Sequence, residues 1–171
     1  EELIALLDSA ERAAGNPAQQ VSILEQAVEL DPYSIEAQQA LAQARADRLQ
    51  ERFAAMMSEG YAQLRAGEPE EAIARFEAAA KLGVNESEAR AAIAQTETEI
   101  TNAQIATLQQ RAQGAEANEA WQDAVADYEA IVQIDANLPT INRALDYAEK
   151  RARLDALLIA ALDAPERFAD Q

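Results

Sequence analysis

Apolar residues recur along this chain with helical spacing, and one stretch of the pattern occurs three times at steps of 52 residues. The copies are QQVSILEQAVELD at 19–31, EAIARFEAAAKLG at 71–83 and DAVADYEAIVQID at 123–135. Val21, Ile73 and Val125 hold matching places, as do Leu24, Phe76 and Tyr128. So do Ala27, Ala79 and Ile131, and then Leu30, Leu82 and Ile134. A fixed period of this size is the sequence signature of a repeat architecture, in which each unit buries its apolar face against its neighbours.

Breakers divide the pattern into short and long helices. The first helix is expected over 2–14, with Leu3, Ile4, Leu6 and Leu7 on its apolar side. Asn16 and Pro17 then supply a cap and a first-turn residue for a second helix over 17–30, which Asp31-Pro32 ends. From Ser34 no strong breaker appears before Gly60, and Gly67 is the expected stop. Ile35, Leu41, Ala44, Leu49, Phe53, Met56 and Leu64 keep helical spacing along this long segment. Gly60 inside it suggests a close helix contact or a kink. A short helix is expected over 69–82, closed by Gly83, and Asn85 with Glu88 has the pattern of a capping box. A second long helix follows over 86–113, where several Thr and Gln give the weakest helical signal in the chain. The third short helix spans 120–134, and a last long one begins near Pro139.

The expected fold class is therefore all-α: an elongated array of three repeats with alternating long and short helices. Repeat one covers 1–52, repeat two 53–104 and repeat three 105–156, and 157–171 is a partial repeat or terminal cap of one repeat domain. Each 52-residue step equals a 34-residue hairpin plus 18 residues, and 18 residues are five helical turns. Whole turns keep the apolar face in phase, so a long helix can serve two successive cores. A stepped rod and a curved stack of hairpins both satisfy this arithmetic. Near the end, Leu158-Ile159-Ala160, Leu162-Asp163 and Glu166-Arg167 echo Leu3-Ile4-Ala5, Leu7-Asp8 and Glu11-Arg12, which is the pattern of a further copy that begins there or of a terminal cap ended by Pro165.

The hairpins resemble the tetratricopeptide repeat. In the middle copy the family's small residues match Gly60, Gly67, Ala72 and Ala79, and its packing aromatic matches Phe76. The first copy matches through Gly15, Leu24, Ala27 and Asp31-Pro32, and the third through Leu108, Ala124 and Tyr128. Glu59 and Arg111 stand where the family has a leucine, Gln20 replaces a small alanine and Glu119 replaces a glycine. The inserted turns lie outside the resemblance. The architecture is also similar to spectrin-like rods, which fuse three-helix units through continuous helices.

Composition narrows the chemistry. Cysteine and histidine are absent, which excludes disulfides and thiolate chemistry and removes the commonest neutral-pH proton shuttle. The net charge of −17, from 14 basic and 31 acidic residues, repels phosphate backbones and anionic membranes and suits a basic partner. No apolar stretch reaches membrane-spanning length. Adjacent carboxylates such as Glu70-Glu71 fall at helix starts, where acids favour the helix dipole. No cofactor, metal site or catalytic residue is expected, and neither a calcium loop nor a phosphate loop occurs.

The residues that suggest partner contacts are Met57, Tyr61, Leu64 and Trp121. The tetratricopeptide resemblance implies a concave face on the first helix of each hairpin; in the middle copy Met57, Tyr61 and Leu64 would line it, against Ala5, Ser9 and Arg12 in the first. Lys150, Arg151 and Arg153 form the one basic cluster, with Glu149 and Asp155 beside it for local pairing. The expected function is a non-catalytic scaffold or spacer that mediates protein–protein assembly, as an excised part of a larger bacterial cell-envelope protein. The periplasm is favoured, with the cytoplasm left open. The alternative is a peptide-binding adaptor that uses a groove on the middle repeat. A protein or peptide partner and self-association are expected, with no nucleic acid and no direct membrane insertion.

Overall fold

A computed structural model describes residues 1–163. Pro165, Glu166 and Arg167, invoked above for a further copy or cap, lie outside these residues. Among the described residues there are seven helices and no strand: α1 (Glu2–Arg12), α2 (Pro17–Leu30), α3 (Ile35–Ala66), α4 (Pro69–Ala80), α5 (Glu86–Ala117), α6 (Trp121–Ile134) and α7 (Pro139–Asp163). The chain divides into two units, Glu1–Thr96 and Glu97–Gln171, with the division falling inside α5.

Unit one holds two cores threaded on α3. In the first, Ala10 of α1 and Val21 and Leu24 of α2 pack with Leu41 and Ala44 from the first half of α3. In the second, Phe53 and Met57 from the second half of α3 pack with Ala72, Phe76 and Ala79 of α4 and Ala89 and Ala92 of α5. One long helix serves both cores with opposite sides: at 3.6 residues per turn, Phe53 and Met57 lie about half a turn round α3 from Leu41 and Ala44, so the single in-phase apolar face expected from the sequence is not the one used. Full burial of Leu24 and Phe76 contributes roughly 1.5–3 kcal/mol each. Unit two holds a third core, in which Ala112 of α5 packs with Ala124, Tyr128 and Ile131 of α6 and Ile141 and Ala148 of α7.

Burial follows the sequence period over most of the chain. Leu24, Phe76 and Tyr128 are buried, as are Ala27, Ala79 and Ile131. The same is true of Ala37, Ala89 and Ile141, and of Ala44, Thr96 and Ala148. The first helix departs from it. The inward positions of α1, Leu3, Leu6, Leu7 and Ala10, repeat Phe53, Met56, Met57 and Gly60 at 50 residues rather than 52. The cause is the end of the helix: α1 stops at Arg12, two residues past Ala10, whereas α3 runs on to Ala66, six past Gly60, and the longer loop after α1 makes up only part of the difference. The counterparts of Met57 and Tyr61 in α1 are therefore Leu7 and Glu11, not Ala5 and Ser9.

The ends of the helices have local causes. Asn16 Oδ1 accepts the Gln19 N–H at 3.2 Å, and Ser34 Oγ accepts that of Ala37 at 3.2 Å. Gly67 ends α3 in the left-handed region at φ 81°, where the Glu68 N–H donates to the Gln63 carbonyl at 3.0 Å. The α2–α3 and α6–α7 connections are built alike. Asp31 Oδ1 accepts the Tyr33 N–H at 3.0 Å, and Asp135 Oδ1 accepts that of Asn137 at 2.8 Å. Gln38 then donates to the Pro32 carbonyl and Asn142 to that of Ala136. The α4–α5 connection uses Gly83 at φ 74° and Asn85 at φ 47°. Asn85 is thus left-handed, whereas the capping box read from Asn85 and Glu88 needs extended backbone at the cap. The Asn85 carbonyl accepts the Glu88 N–H at 2.9 Å.

The Thr-rich stretch is helical throughout. Thr96, Thr101 and Thr107 each donate their hydroxyl to the carbonyl four residues back, at 2.8, 2.9 and 2.9 Å. Each hydroxyl is thus satisfied within the helix, in the back-bonded form that slightly weakens helices and here does not interrupt α5.

Candidate functional site

The candidate residues of the middle hairpin meet around one ring. Phe76, on α4, is wholly buried, and the backbone of α3 comes against it at Gly60. A Cβ at Gly60 would lie 2.4 Å from Phe76 Cε1, so only glycine permits this approach. The close helix contact, one of the two explanations for Gly60, is the one observed. Tyr61, the next residue on α3, sets its ring edge-on to Phe76 with centroids 5.1 Å apart. Its outer side remains 43% exposed. Met57 is buried in the same core and Leu64 is half-buried against it. Of these three residues Tyr61 is the one that offers a ring to solvent.

Trp121 belongs to unit two, in the first turn of α6. Its indole is nearly covered: Tyr147 of α7 meets it edge-on with centroids 5.8 Å apart, and the Arg151 guanidinium lies 4.8 Å from the ring centroid. The sequence carries no signal that Tyr147 and Arg151 pair with Trp121. They come from the last helix, and no spacing rule links them to a residue 26 and 30 positions earlier. Arg151 Nε is buried without a hydrogen-bond partner among the described residues, and the cation–π contact is its compensation. Glu119, Leu154, Asp155 and Leu158 complete an open cleft with these two side chains.

The two positions that departed from the hairpin pattern, Glu59 and Arg111, explain one another. Glu59 faces Arg75 at 3.5 Å, and Arg111 faces Asp127 at 2.8 Å. Arg111 lies 52 residues after Glu59, and Asp127 lies 52 after Arg75. The same pair of places carries an ion pair twice, with the signs exchanged. The first pair is half exposed on both sides; in the second, the Asp127 side chain is only 10% exposed. The corresponding residue of α2 is Ile23, which packs on the first core. Opposite charges 16 residues apart in both copies were the available signal.

Tyr128, at the place of Phe76, has its phenol pushed above the usual value by burial, then by the nearby Glu116 carboxylate, which accepts its hydrogen bond. In the basic cluster Lys150 pairs with Asp146 at 2.6 Å, one turn back, rather than with the Glu149 and Asp155 that flank the cluster. Among the described residues no group of carboxylates is arranged to hold a metal ion, and no helix is long and apolar enough to cross a membrane. Comparison with protein-family models, curated proteins and solved structures finds no match to this chain.

Proposed function

We propose that this chain is a non-catalytic scaffold or spacer built from interchangeable tetratricopeptide-like hairpins, and that it serves protein–protein assembly. The observation that carries this reading is the exchanged ion pair. Glu59–Arg75 and Arg111–Asp127 occupy matching places and compensate one another's charges, as two copies of one interface would. A chain made of such copies changes its reach by whole units. Residues that line up at 52-residue spacing bury themselves in separate cores, so each core closes with its own residues. For the adaptor reading, Tyr61 supplies an exposed ring, while Met57 is already taken up by its own core.

The test is removal of one unit. Deleting residues 53–104 joins Arg52 directly to Ile105, the counterpart of Phe53. The shortened protein is expected to fold as a helical chain with a single cooperative unfolding transition by circular dichroism. Deleting 53–102 instead leaves two extra residues, which turn the following inward stripe by about 200° and are expected to abolish cooperative unfolding. Equal behaviour of the two deletions would sink the modular reading.

A further inference from the structure

The distal half of α7 is apolar on more than one face. Leu154, Leu157, Leu158 and Leu162 are each more than half exposed. An exposed apolar face of this width is one that a neighbour covers. Three of these leucines are not explained by continuing the sequence period. Leu154, Leu158 and Leu162 stand where the preceding copy has Asn102, Ala106 and Gln110, all solvent-facing. This stretch is also the locally positive part of a strongly negative chain: residues 150–162 hold Lys150, Arg151 and Arg153 against one acid, Asp155.

A surface of complementary character lies in unit one. Glu2 and Leu6 of α1 and Gln26, Glu29 and Leu30 of α2 line an open groove, which combines two leucines with two carboxylates. Leu30 is 47% exposed there, and no basic side chain lines the groove. Gln26, Glu29 and Leu30 are on the flank of α2 away from Val21, Leu24 and Ala27, which face the core. The sequence says what kind of helix suits an α2 flank. Leu158-Ile159-Ala160 and Leu162-Asp163 repeat Leu3-Ile4-Ala5 and Leu7-Asp8 of α1, and α1 is a helix that packs on α2.

We propose that the distal half of α7 docks in the α1–α2 groove of a second copy of this chain, so that copies join head to tail. The proposal rests on the assembly reading above and gives that assembly its first partner. Leu154 and Leu158 meet Leu6 and Leu30, and Arg153 approaches Glu2 and Glu29 of the second copy. Because the two surfaces differ, the contact is heterologous and each copy keeps one free end.

Sedimentation velocity on the full chain, between about 1 and 500 μM, tests the docking. The average mass is expected to rise with concentration beyond that of one chain, and to rise less in about 0.5 M salt than in 0.05 M, because the charges are exposed. Leu158→Glu on the tail and Leu30→Glu on the groove are each expected to give a monomer at every concentration. An equimolar mixture of the two variants retains one intact tail and one intact groove, so it is expected to form a one-to-one pair and nothing larger. Circular dichroism on each variant checks that it is folded, as expected for substitutions at exposed positions. A monomeric parent chain overturns the proposal. So does association that Leu158→Glu abolishes and Leu30→Glu leaves intact, since that pattern means symmetric tail-to-tail pairing. A folded 53–104 deletion that remains monomeric would reject the docking while leaving the modular reading in place.

Discussion

At Gly60 and Phe76 the packing of two helices depends on one missing methyl group. Alanine is the better helix former by up to about 1 kcal/mol, and on propensity alone Gly60→Ala would stabilise α3. The Phe76 ring cannot retreat from a Cβ 2.4 Å away, because it is buried on every side. Gly60→Ala is therefore expected to destabilise by about 1–3 kcal/mol in urea unfolding, and Phe76→Ala by about 3–5 kcal/mol. A stabilised Gly60→Ala variant would contradict the contact. Glu119 presents the opposite case. It takes the place of Gly67 and adopts the same left-handed backbone, at φ 57°, while Ala120 donates to the Ala115 carbonyl at 2.9 Å. A non-glycine residue there carries a strain of about 1–2 kcal/mol. Glu119→Gly is expected to raise stability by roughly 1 kcal/mol, read as a higher melting temperature. An unchanged or lower one would show that the Glu119 side chain offsets the strain.

Between elements, α3–α4 and α5–α6 use the same pair of places for ions of opposite order. Their strength depends on burial. Glu59 and Arg75 are both about half exposed, so water and salt screen them, and a double-mutant cycle to alanine is expected to give a coupling of about 0.3 kcal/mol. Asp127 is largely covered, and removing Arg111 leaves its carboxylate poorly paired. The Arg111/Asp127 cycle is expected to give about 1 kcal/mol or more. Equal couplings would mean that burial of Asp127 does not govern the pair. The boundaries of these helices were readable to within a few residues from Asn16, Pro17, Gly67, Pro69 and Pro139, because caps and breakers act on their own neighbours. The α5 helix runs past its expected end at 113 to Ala117, since Gly114 is tolerated inside it and the chain turns only at Glu119.

For the whole molecule the net charge of −17 is the dominant long-range term. Like charges repel most in the compact state, and dissolved salt screens that repulsion. Raising sodium chloride from about 0.02 to 0.3 M at neutral pH is expected to raise the melting temperature, despite weakening the exposed Arg45–Glu25 and Arg75–Glu59 pairs. A fall on adding salt would mean that the local pairs outweigh the repulsion.

The sequence by itself determined the helical class, the order of long and short helices and most inward positions. These follow from spacing along one chain: Leu24, Phe76 and Tyr128 are recognisable as core residues before any contact is known. It also marked Tyr61 and Trp121 as the aromatic residues to watch. Tertiary packing decided how much of each stays free. Tyr61 keeps an outer face because Phe76 takes only its edge, while Tyr147 and Arg151 close over Trp121. It also decided the register of α1, displaced by two residues because α1 stops sooner after its last inward residue, and the meaning of Glu59 and Arg111. Those outcomes depend on which side chains meet across separate helices. Periodicity along one helix gives the direction a residue faces; the partner it finds there is set by the neighbouring helix.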